Sequence, residues 1–214
     1  MNLRAIYSRT GRSPVNTDIL AKLTHNSLMN LEAYAKARND FRAKVMAHKK
    51  NRNVGLGDHV TLIFEDELTI QYQVQEMLRV EKIFEEAGIQ EELDAYNPLI
   101  PDGSNWKATM MIEYEDIEER RNMLTQLVGI EDRIWVKVSG FDRIYAIADE
   151  DLERTSEQKT SAVHFLRFEL SKDMAHTLQQ GAVLSMGVDH SNYQINLSSL
   201  PDTVRASLLR DLQC

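Results

Sequence analysis

The spacing of apolar residues predicts a long helix near the N-terminus, over residues 24–52. The apolar residues that recur there at helical spacing are Leu28, Leu31, Tyr34, Phe41 and Val45. Thr24 or Asn26 is a suitable N-cap for this helix. With about 100° between successive residues, Arg38 projects between members of the apolar stripe rather than opposite it. We therefore expect Arg38 to meet a carboxylate where this helix packs on the rest of the protein.

Residues 60–103 alternate between short apolar runs and turn signals. An apolar strand is predicted at residues 60–64, and the acidic turn Glu65-Asp66-Glu67 follows it. The elements predicted after this turn are a second strand or the approach to a helix at residues 68–72, a helix over residues 73–87 that Gly88 ends, a short helix at residues 89–96, and a loop at residues 97–103 that two prolines make rigid.

The second half of the chain repeats one pattern of strand, capped helix, glycine and strand. The first copy is predicted at residues 107–114, 116–128 and 133–138, and the second at residues 161–170, 171–180 and 182–188. Between the copies, residues 141–148 add a strand, and residues 149–153 form an acidic loop that we interpret as a solvated linker. A small helix is predicted at residues 201–212.

Strands that alternate with helices, without a glycine-rich phosphate loop, predict an α+β fold. We expect a mixed sheet that contains the two strand–helix–strand units, together with the long N-terminal helix. A single α+β domain is predicted over residues 24–214, with a boundary near Gly103 as the alternative. Residues 1–23 are predicted to be a mobile leader.

One carboxylate interrupts the apolar face of the helix predicted over residues 73–87. Its apolar residues Val74, Met77, Val80, Ile83, Phe84 and Ala87 share one arc of a helical projection, and Glu76 falls inside that arc. A buried, unpaired carboxylate costs several kcal/mol, so we expect Glu76 to have a partner. The candidates are Arg38 in a bidentate structural pair, Arg79 three residues away, or a metal ion if histidines converge there.

A second candidate site follows the last strand of the repeated pattern. Asp189, His190 and Tyr193 lie close together in sequence, and they could form a proton-transfer or metal site. The simpler interpretation, which we favour, is that they are turn residues whose side chains hydrogen-bond the backbone.

Other signatures of catalysis or cofactor binding are lacking in the sequence. It has no HExxH motif, no histidine pair at helical metal-site spacing, no GxSxG motif and no Walker motif. The Gly55-Leu56-Gly57 turn lacks the third glycine of a dinucleotide site. No metal site is therefore predicted, and any cofactor remains unknown.

The charge of the chain is divided unevenly along its length. Residues 1–57 carry 11 Lys and Arg against 3 Asp and Glu, whereas residues 58–214 carry 14 against 30. A basic segment before an acidic body can bind an external polyanion, or it can dock on acidic protein surface. Because the body is acidic and Arg38 lies on the apolar face, we favour docking and consider nucleic-acid binding the weaker hypothesis.

The compartment indicated by the sequence is the cytoplasm. No apolar run is long enough to span a membrane, and the N-terminal residues lack the apolar segment of a secretory signal. The only cysteine is Cys214, which excludes an internal disulfide and fits a reducing environment.

Residues 24–193 resemble a bacterial family known only as a domain of unknown function. The resemblance rests on LEAYAKARNDFRAKVMAHKKNR, GDHVTLIFED, QVQEMLRVEKI, EELDAYNPLIP, TMMIEYEDIEERR, SAVHFLRFEL and GVDHSNY, in this order. Genes of that family often lie beside genes for a rubrerythrin-like protein and an iron–sulfur oxidoreductase, which implies a role in peroxide defence or redox metabolism. The positions at its recognisable motifs are Gln75, Glu76, Arg79, Asn97, Pro101, Asp189, His190 and Tyr193.

Two functional hypotheses follow from these observations. The favoured one is an accessory protein of a bacterial redox or peroxide-stress module, which forms a homodimer or binds a rubrerythrin-like or iron–sulfur protein. The rival is a metal- or small-ligand-dependent enzyme that uses Glu76, Arg79 and Asn97, or Asp189 and His190. The surroundings of Glu76 distinguish them, because an enzyme needs an open pocket there and an accessory protein does not.

Overall fold

Two antiparallel sheets and six α-helices make up the computed structural model, which describes residues 22–213. The helices are α1 (Leu31–Lys49), α2 (Glu67–Glu81), α3 (Glu86–Tyr96), α4 (Ile117–Gln126), α5 (Lys172–Gln179) and α6 (Asp202–Leu208). The strands are β1 (Asn53–Gly55), β2 (Val60–Glu65), β3 (Asn105–Ile112), β4 (Ile134–Val138), β5 (Ile144–Tyr145), β6 (Ile147–Ala148), β7 (Val163–Glu169), β8 (Leu184–His190) and β9 (Tyr193–Leu197). Among the described residues, no helix is long and apolar enough to cross a membrane.

The α+β class predicted from the sequence is confirmed, but the sheet is not mixed. A five-stranded sheet has the order β1-β2-β3-β7-β6, and a four-stranded sheet has the order β5-β4-β8-β9. All the pairings between these strands are antiparallel. The two predicted strand–helix–strand units are present as β3-α4-β4 and β7-α5-β8. Each unit starts in the larger sheet and ends in the smaller one, so its helix connects two sheets instead of two parallel neighbours.

The main hydrophobic core lies between the sheets and is built from alternate strand residues. In β3 and β7, residues Trp106, Ala108, Met110, Leu166 and Phe168 point into this core. Their neighbours at odd positions point to the opposite face of the five-stranded sheet, as the two-residue period of a strand requires. A smaller second core packs under α2 and α3 and consists of Leu23, Ile70, Val74, Leu78, Leu93 and Ile100.

The N-terminal helix is not observed at its predicted length of residues 24–52. Helix α1 begins at Leu31 because the Asn30 side chain caps it, accepting a hydrogen bond from the Ala33 amide at 2.8 Å. Thr24 instead precedes a single 3₁₀ turn, His25–Ser27. Residues 1–21 of the predicted leader and Cys214 lie outside the described residues.

Helix α2 begins earlier and ends earlier than predicted. Asp66 caps its start in a capping box with Thr69, so residues predicted as a strand or helix approach become helical. Its end is set by Lys82, which adopts the left-handed conformation with φ 56°, and not by Gly88. The predicted apolar arc therefore breaks up, and Val80 and Phe84 are 62% and 71% exposed.

Arg52 joins the first strands to the C-terminal end of the chain. Its side chain is buried and donates to the carbonyl oxygens of Phe64 and Glu65, to Ser207, and to both carboxylate oxygens of Asp211. A buried guanidinium with this many acceptors is fully compensated, which allows the C-terminal segment to close over the core.

Candidate functional site

Glu76 lies between α1 and α2 and is bound by two side chains of α1. Arg38 donates from Nε to Oε1 and from Nη2 to Oε2, both at 2.7 Å. The Tyr34 hydroxyl donates to Oε1 at 2.6 Å. Arg79 is more distant, with 3.7 Å between its Nε and Oε1. This is the bidentate pair that the sequence favoured, and it forms within one chain.

The contacts of Glu76 keep it ionised. The Arg38 guanidinium is the largest cause, and together with Tyr34 it lowers the pKa of the Glu76 carboxyl to about 2. Burial and the neighbouring carboxylate raise the pKa of Tyr34. The buried face of α2 is formed by Ile70, Val74 and Leu78, and Glu76 lies beside this face rather than within it. Its side chain is 22% exposed and is therefore partly hydrated. A carboxylate with this pKa and both oxygens engaged is a poor general base at neutral pH.

Gln75 and Asn97 hold the segment that precedes α1. The Gln75 side chain accepts from the Met29 amide at 2.7 Å and donates to the Met29 carbonyl at 3.1 Å. Asn97 makes the same pair of bonds with Leu23, at 2.8 and 3.0 Å. Each side-chain amide thus pairs with both the N–H and the C=O of one residue, as a neighbouring strand would. Both side chains are used in this way and do not form a pocket with Glu76.

The other two motif residues near α2, Arg79 and Pro101, do not lie in one site. The Arg79 side chain is 43% exposed at the surface of α2. Pro101 is buried in the loop before β3. The predicted group of Glu76, Arg79 and Asn97 is therefore not brought together as one pocket.

Asp189 and His190 point to opposite faces of β8, as adjacent strand residues do. The exposed Asp189 carboxylate accepts from Arg143 at 3.1 Å and from Tyr145 at 3.0 Å. His190 is buried; its Nε2 lies 3.2 Å from the Val128 carbonyl oxygen, and its Nδ1 accepts from the Asn192 amide.

The Tyr193 side chain lies away from Asp189 and His190, and it contacts the turn between β1 and β2. Its hydroxyl donates to the Leu56 carbonyl at 2.6 Å and accepts from the His59 amide at 3.2 Å. The structure therefore separates the three residues of the second candidate site, and each of them binds neighbouring parts of the fold.

A buried cluster around His164 was missed by sequence reasoning. The His164 ring has no exposed surface, and its Nδ1 lies 2.6 Å from Asp149 Oδ2. Its Nε2 lies 2.8 Å from Thr160 Oγ1 and 3.1 Å from the Ser161 carbonyl oxygen. The Thr160 hydroxyl in turn donates to Glu131 at 3.2 Å. The Asp149 carboxylate and the Ser161 carbonyl oxygen can only accept hydrogen bonds, so each ring nitrogen of His164 faces at least one acceptor.

The His164 cluster corrects the interpretation of residues 149–153 as a solvated linker at Asp149, whereas residues 150–153 are exposed. The Asp149 side chain is almost buried and also accepts from the Phe165 amide at 3.0 Å and from Arg154 at 3.3 Å. A signal for this cluster was present in SAVHFLRFEL, where His164 alternates with Leu166 and Phe168 on the inward face. A histidine at such a position needs buried partners.

The family model described as "Protein of unknown function (DUF3501)" matches residues 22–212. The chain belongs to the DUF3501 family. A crystal structure of a protein of unknown function from Burkholderia pseudomallei K96243 is 57% identical, with a TM-score of 0.86, and the match covers 90% of this chain and 100% of that chain. The comparison with curated proteins gave no match.

A groove of the DUF3501 chain leaves apolar side chains uncovered beside α2 and α3. This α2–α3 groove, of about 360 Å³, lies between the segment before α1 and the junction of α2 with α3. Its apolar lining residues are Leu28, Met29, Leu31, Leu78, Ile83, Phe84 and Ile89. Phe84 is the most exposed large apolar residue among those described. Within residues 22–213, no three His, Cys, Asp or Glu side chains are grouped so that they could hold a metal ion.

Proposed function

We propose that this DUF3501 protein is a non-catalytic accessory protein of a bacterial redox or peroxide-stress module, acting in the cytoplasm. The observation that carries the accessory role is the Arg38–Glu76 pair, which uses the most conspicuous carboxylate of the sequence to hold α1 on α2. The redox assignment is supported by the family resemblance, in which neighbouring genes encode rubrerythrin-like and iron–sulfur proteins. Two observations weigh against the rival enzyme hypothesis. Arg38 and Tyr34 engage Glu76 while Asn97 binds the Leu23 backbone, and Asp189 and His190 lie on opposite faces of β8.

The α2–α3 groove is the surface that we assign to the partner protein. An exposed aromatic side chain beside a concave apolar surface is typical of protein-binding sites, and single exposed apolar residues elsewhere are normal. Phe84 combines both features, because it is 71% exposed and also lines the groove. Leu152 is 64% exposed but lies in the acidic loop and does not line this groove.

The charge around the groove defines the chemistry of the partner. Residues 79–92 contain five glutamates, at positions 81, 85, 86, 91 and 92, against two basic residues, Arg79 and Lys82. Burial is the largest cause of the raised pKa of Glu92, and the nearby Glu81 and Glu91 carboxylates raise it further. We therefore propose that the groove receives an apolar side chain flanked by Lys or Arg on the rubrerythrin-like partner. Such charge complementarity mainly raises the association rate and the specificity.

Substitution of Phe84 tests this proposal. The rubrerythrin-like protein and the iron–sulfur oxidoreductase encoded in the same organism are titrated by calorimetry against the wild type, Phe84→Ser and the matched control Leu152→Ser. We expect the wild type and Leu152→Ser to bind the rubrerythrin-like protein equally. Phe84→Ser should weaken that binding by about tenfold or more, as removal of a central aromatic anchor does.

Two kinds of result would overturn the assignment of the groove to the redox partner. If neither purified protein binds the wild type, or if Phe84→Ser and Leu152→Ser behave alike, the proposal is wrong. Analytical ultracentrifugation of the same three proteins tests whether a second copy occupies the groove. A dimer that dissociates only in Phe84→Ser would assign the groove to self-association and would overturn its assignment to the redox partner.

A further inference from the structure

A cavity of about 480 Å³ lies between the end of α3 and the face of the five-stranded sheet that points away from the main core. Tyr96, Pro98 and Leu99 form one wall, and Phe165 and Lys107 contribute from the sheet. The volume is in the range of small-molecule sites in proteins. The lining is mainly apolar with a few charged groups, which is the usual character of such sites.

Lys107 is the unpaired charge of this cavity. Among the described residues, its ammonium group has no hydrogen bond and no ion-pair partner within 4.0 Å. Burial is the largest influence on it and lowers the pKa of the amine, although Glu150 acts in the opposite direction. A partly buried ammonium group without an acceptor costs free energy that a suitable ligand can recover.

The carboxylates around Lys107 accept hydrogen bonds from side chains other than Lys107. Glu150 accepts from Arg167 Nε and Nη2, both at 2.8 Å. Glu169 accepts from Arg167 Nη1 at 2.6 Å and from the Ser104 hydroxyl at 2.7 Å. Glu65, the neighbour of Lys107 across the β2–β3 ladder, is buried and accepts from Thr109 at 2.7 Å. Glu150 and Glu169 are thus already paired, whereas the Oε2 atom of Glu65 is buried and has no hydrogen-bond partner among the described residues.

We propose that this cavity binds a small organic monocarboxylate, with its carboxylate on Lys107 and its apolar or aromatic body against Tyr96, Pro98 and Phe165. Two cations line the cavity, but Arg167 is paired with Glu150 and Glu169, which leaves Lys107 for the ligand. A single negative charge fits this one available cation, and the nearby Glu150 and Asp151 would repel a phosphate or a dicarboxylate more strongly. A neutral ligand would fill the apolar space and leave the ammonium group unpaired. This binding role is independent of partner docking at the α2–α3 groove.

Titration with simple carboxylates tests the inference. Benzoate, phenylacetate and hexanoate are added to the full-length protein, with benzamide and hexanamide as uncharged isosteres. Binding is followed by thermal shift and by ¹H–¹⁵N NMR of the wild type, Lys107→Met and Lys137→Met. Lys137→Met is the matched control, because Lys137 is an exposed lysine of β4 on the other sheet. We expect at least one carboxylate to bind with a Kd below about 10 mM, and to bind Lys107→Met about tenfold more weakly.

Each other result overturns the inference. It fails if none of the three carboxylates binds, if the amides bind as tightly as the acids, or if Lys107→Met and Lys137→Met keep equal affinity. If Lys107→Met does not fold, NMR mapping on the wild type decides. Saturable shifts at Tyr96, Phe165 and the Lys107 side chain support the site, and shifts elsewhere contradict it.

Discussion

At the scale of single residues, the polar side chains that the sequence singled out are used to satisfy hydrogen bonds within the fold. Helical periodicity named Arg38 as one of three candidate partners of Glu76, and in the structure the two side chains form a bidentate pair between α1 and α2. The degree of burial was overestimated, since Val80 and Phe84 were counted as part of the buried face. Periodicity gives the direction of a side chain, whereas burial also depends on where the helix ends.

Replacement of Glu76 by Gln should destabilise the protein in a pH-dependent way. The pKa of Glu76 is lowered from 4.5 to about 2 in the folded protein, so its stabilising effect is present above pH 4.5 and is lost as the pH falls towards 2. We expect Glu76→Gln to lose about 1 kcal/mol of unfolding free energy at pH 7, because water partly screens the pair. Urea unfolding at pH 7 and pH 3 measures this difference, which should shrink at the lower pH. An equal loss at both pH values would contradict it.

At the scale of secondary-structure elements, the amide side chains of Gln75 and Asn97 explain how an irregular segment is held on a helical layer. They bind the backbone of Met29 and Leu23, and Gln71 adds a bond to the Ser27 carbonyl at 2.6 Å. Buried backbone groups outside regular structure need such partners. The sequence identified Gln75 and Asn97 as motif positions, but it could not reveal their role because their partners lie far away in the chain.

Replacement of Asn97 by Ala should release this segment locally. Its loss removes both hydrogen bonds to Leu23, which should raise hydrogen exchange at the Leu23 amide by about tenfold, equivalent to about 1.4 kcal/mol. The matched control is Gln90→Ala, because Gln90 bonds only to Asp94 within exposed α3. Exchange measured by mass spectrometry should change near residue 23 in Asn97→Ala alone. Unchanged exchange there would show that the Asn97 clamp does not hold the segment.

Element boundaries show what local sequence can and cannot predict. The two strand–helix–strand units were found because their helices follow capping residues such as Asp116 and Ser171, which accept from the first-turn amides in the structure. The start of α2 was missed because the capping box of Asp66 and Thr69 was interpreted as a turn before a strand. The left-handed Lys82 could not be foreseen, because glycine is the usual residue in that conformation.

At the scale of the whole molecule, strand pairing and distant contacts decide both the fold and the candidate sites. The class could be predicted from the alternation of elements, but the partition into two antiparallel sheets depends on which strands meet. Arg52 with Asp211 and His164 with Asp149 are likewise contacts that no local pattern specifies. For the same reason, the uncovered groove at Phe84 and the unpaired Lys107 became visible only in the structure.

The central claim is that Glu76 supports the fold while the α2–α3 groove binds the partner. The most direct test compares Phe84→Ser with the double variant Arg38→Met/Glu76→Gln in one titration with the rubrerythrin-like protein, after circular dichroism has established that both are folded. The account predicts that the double variant binds like the wild type and that Phe84→Ser loses about tenfold or more in affinity. Loss of binding in the folded double variant, with full binding in Phe84→Ser, would contradict it.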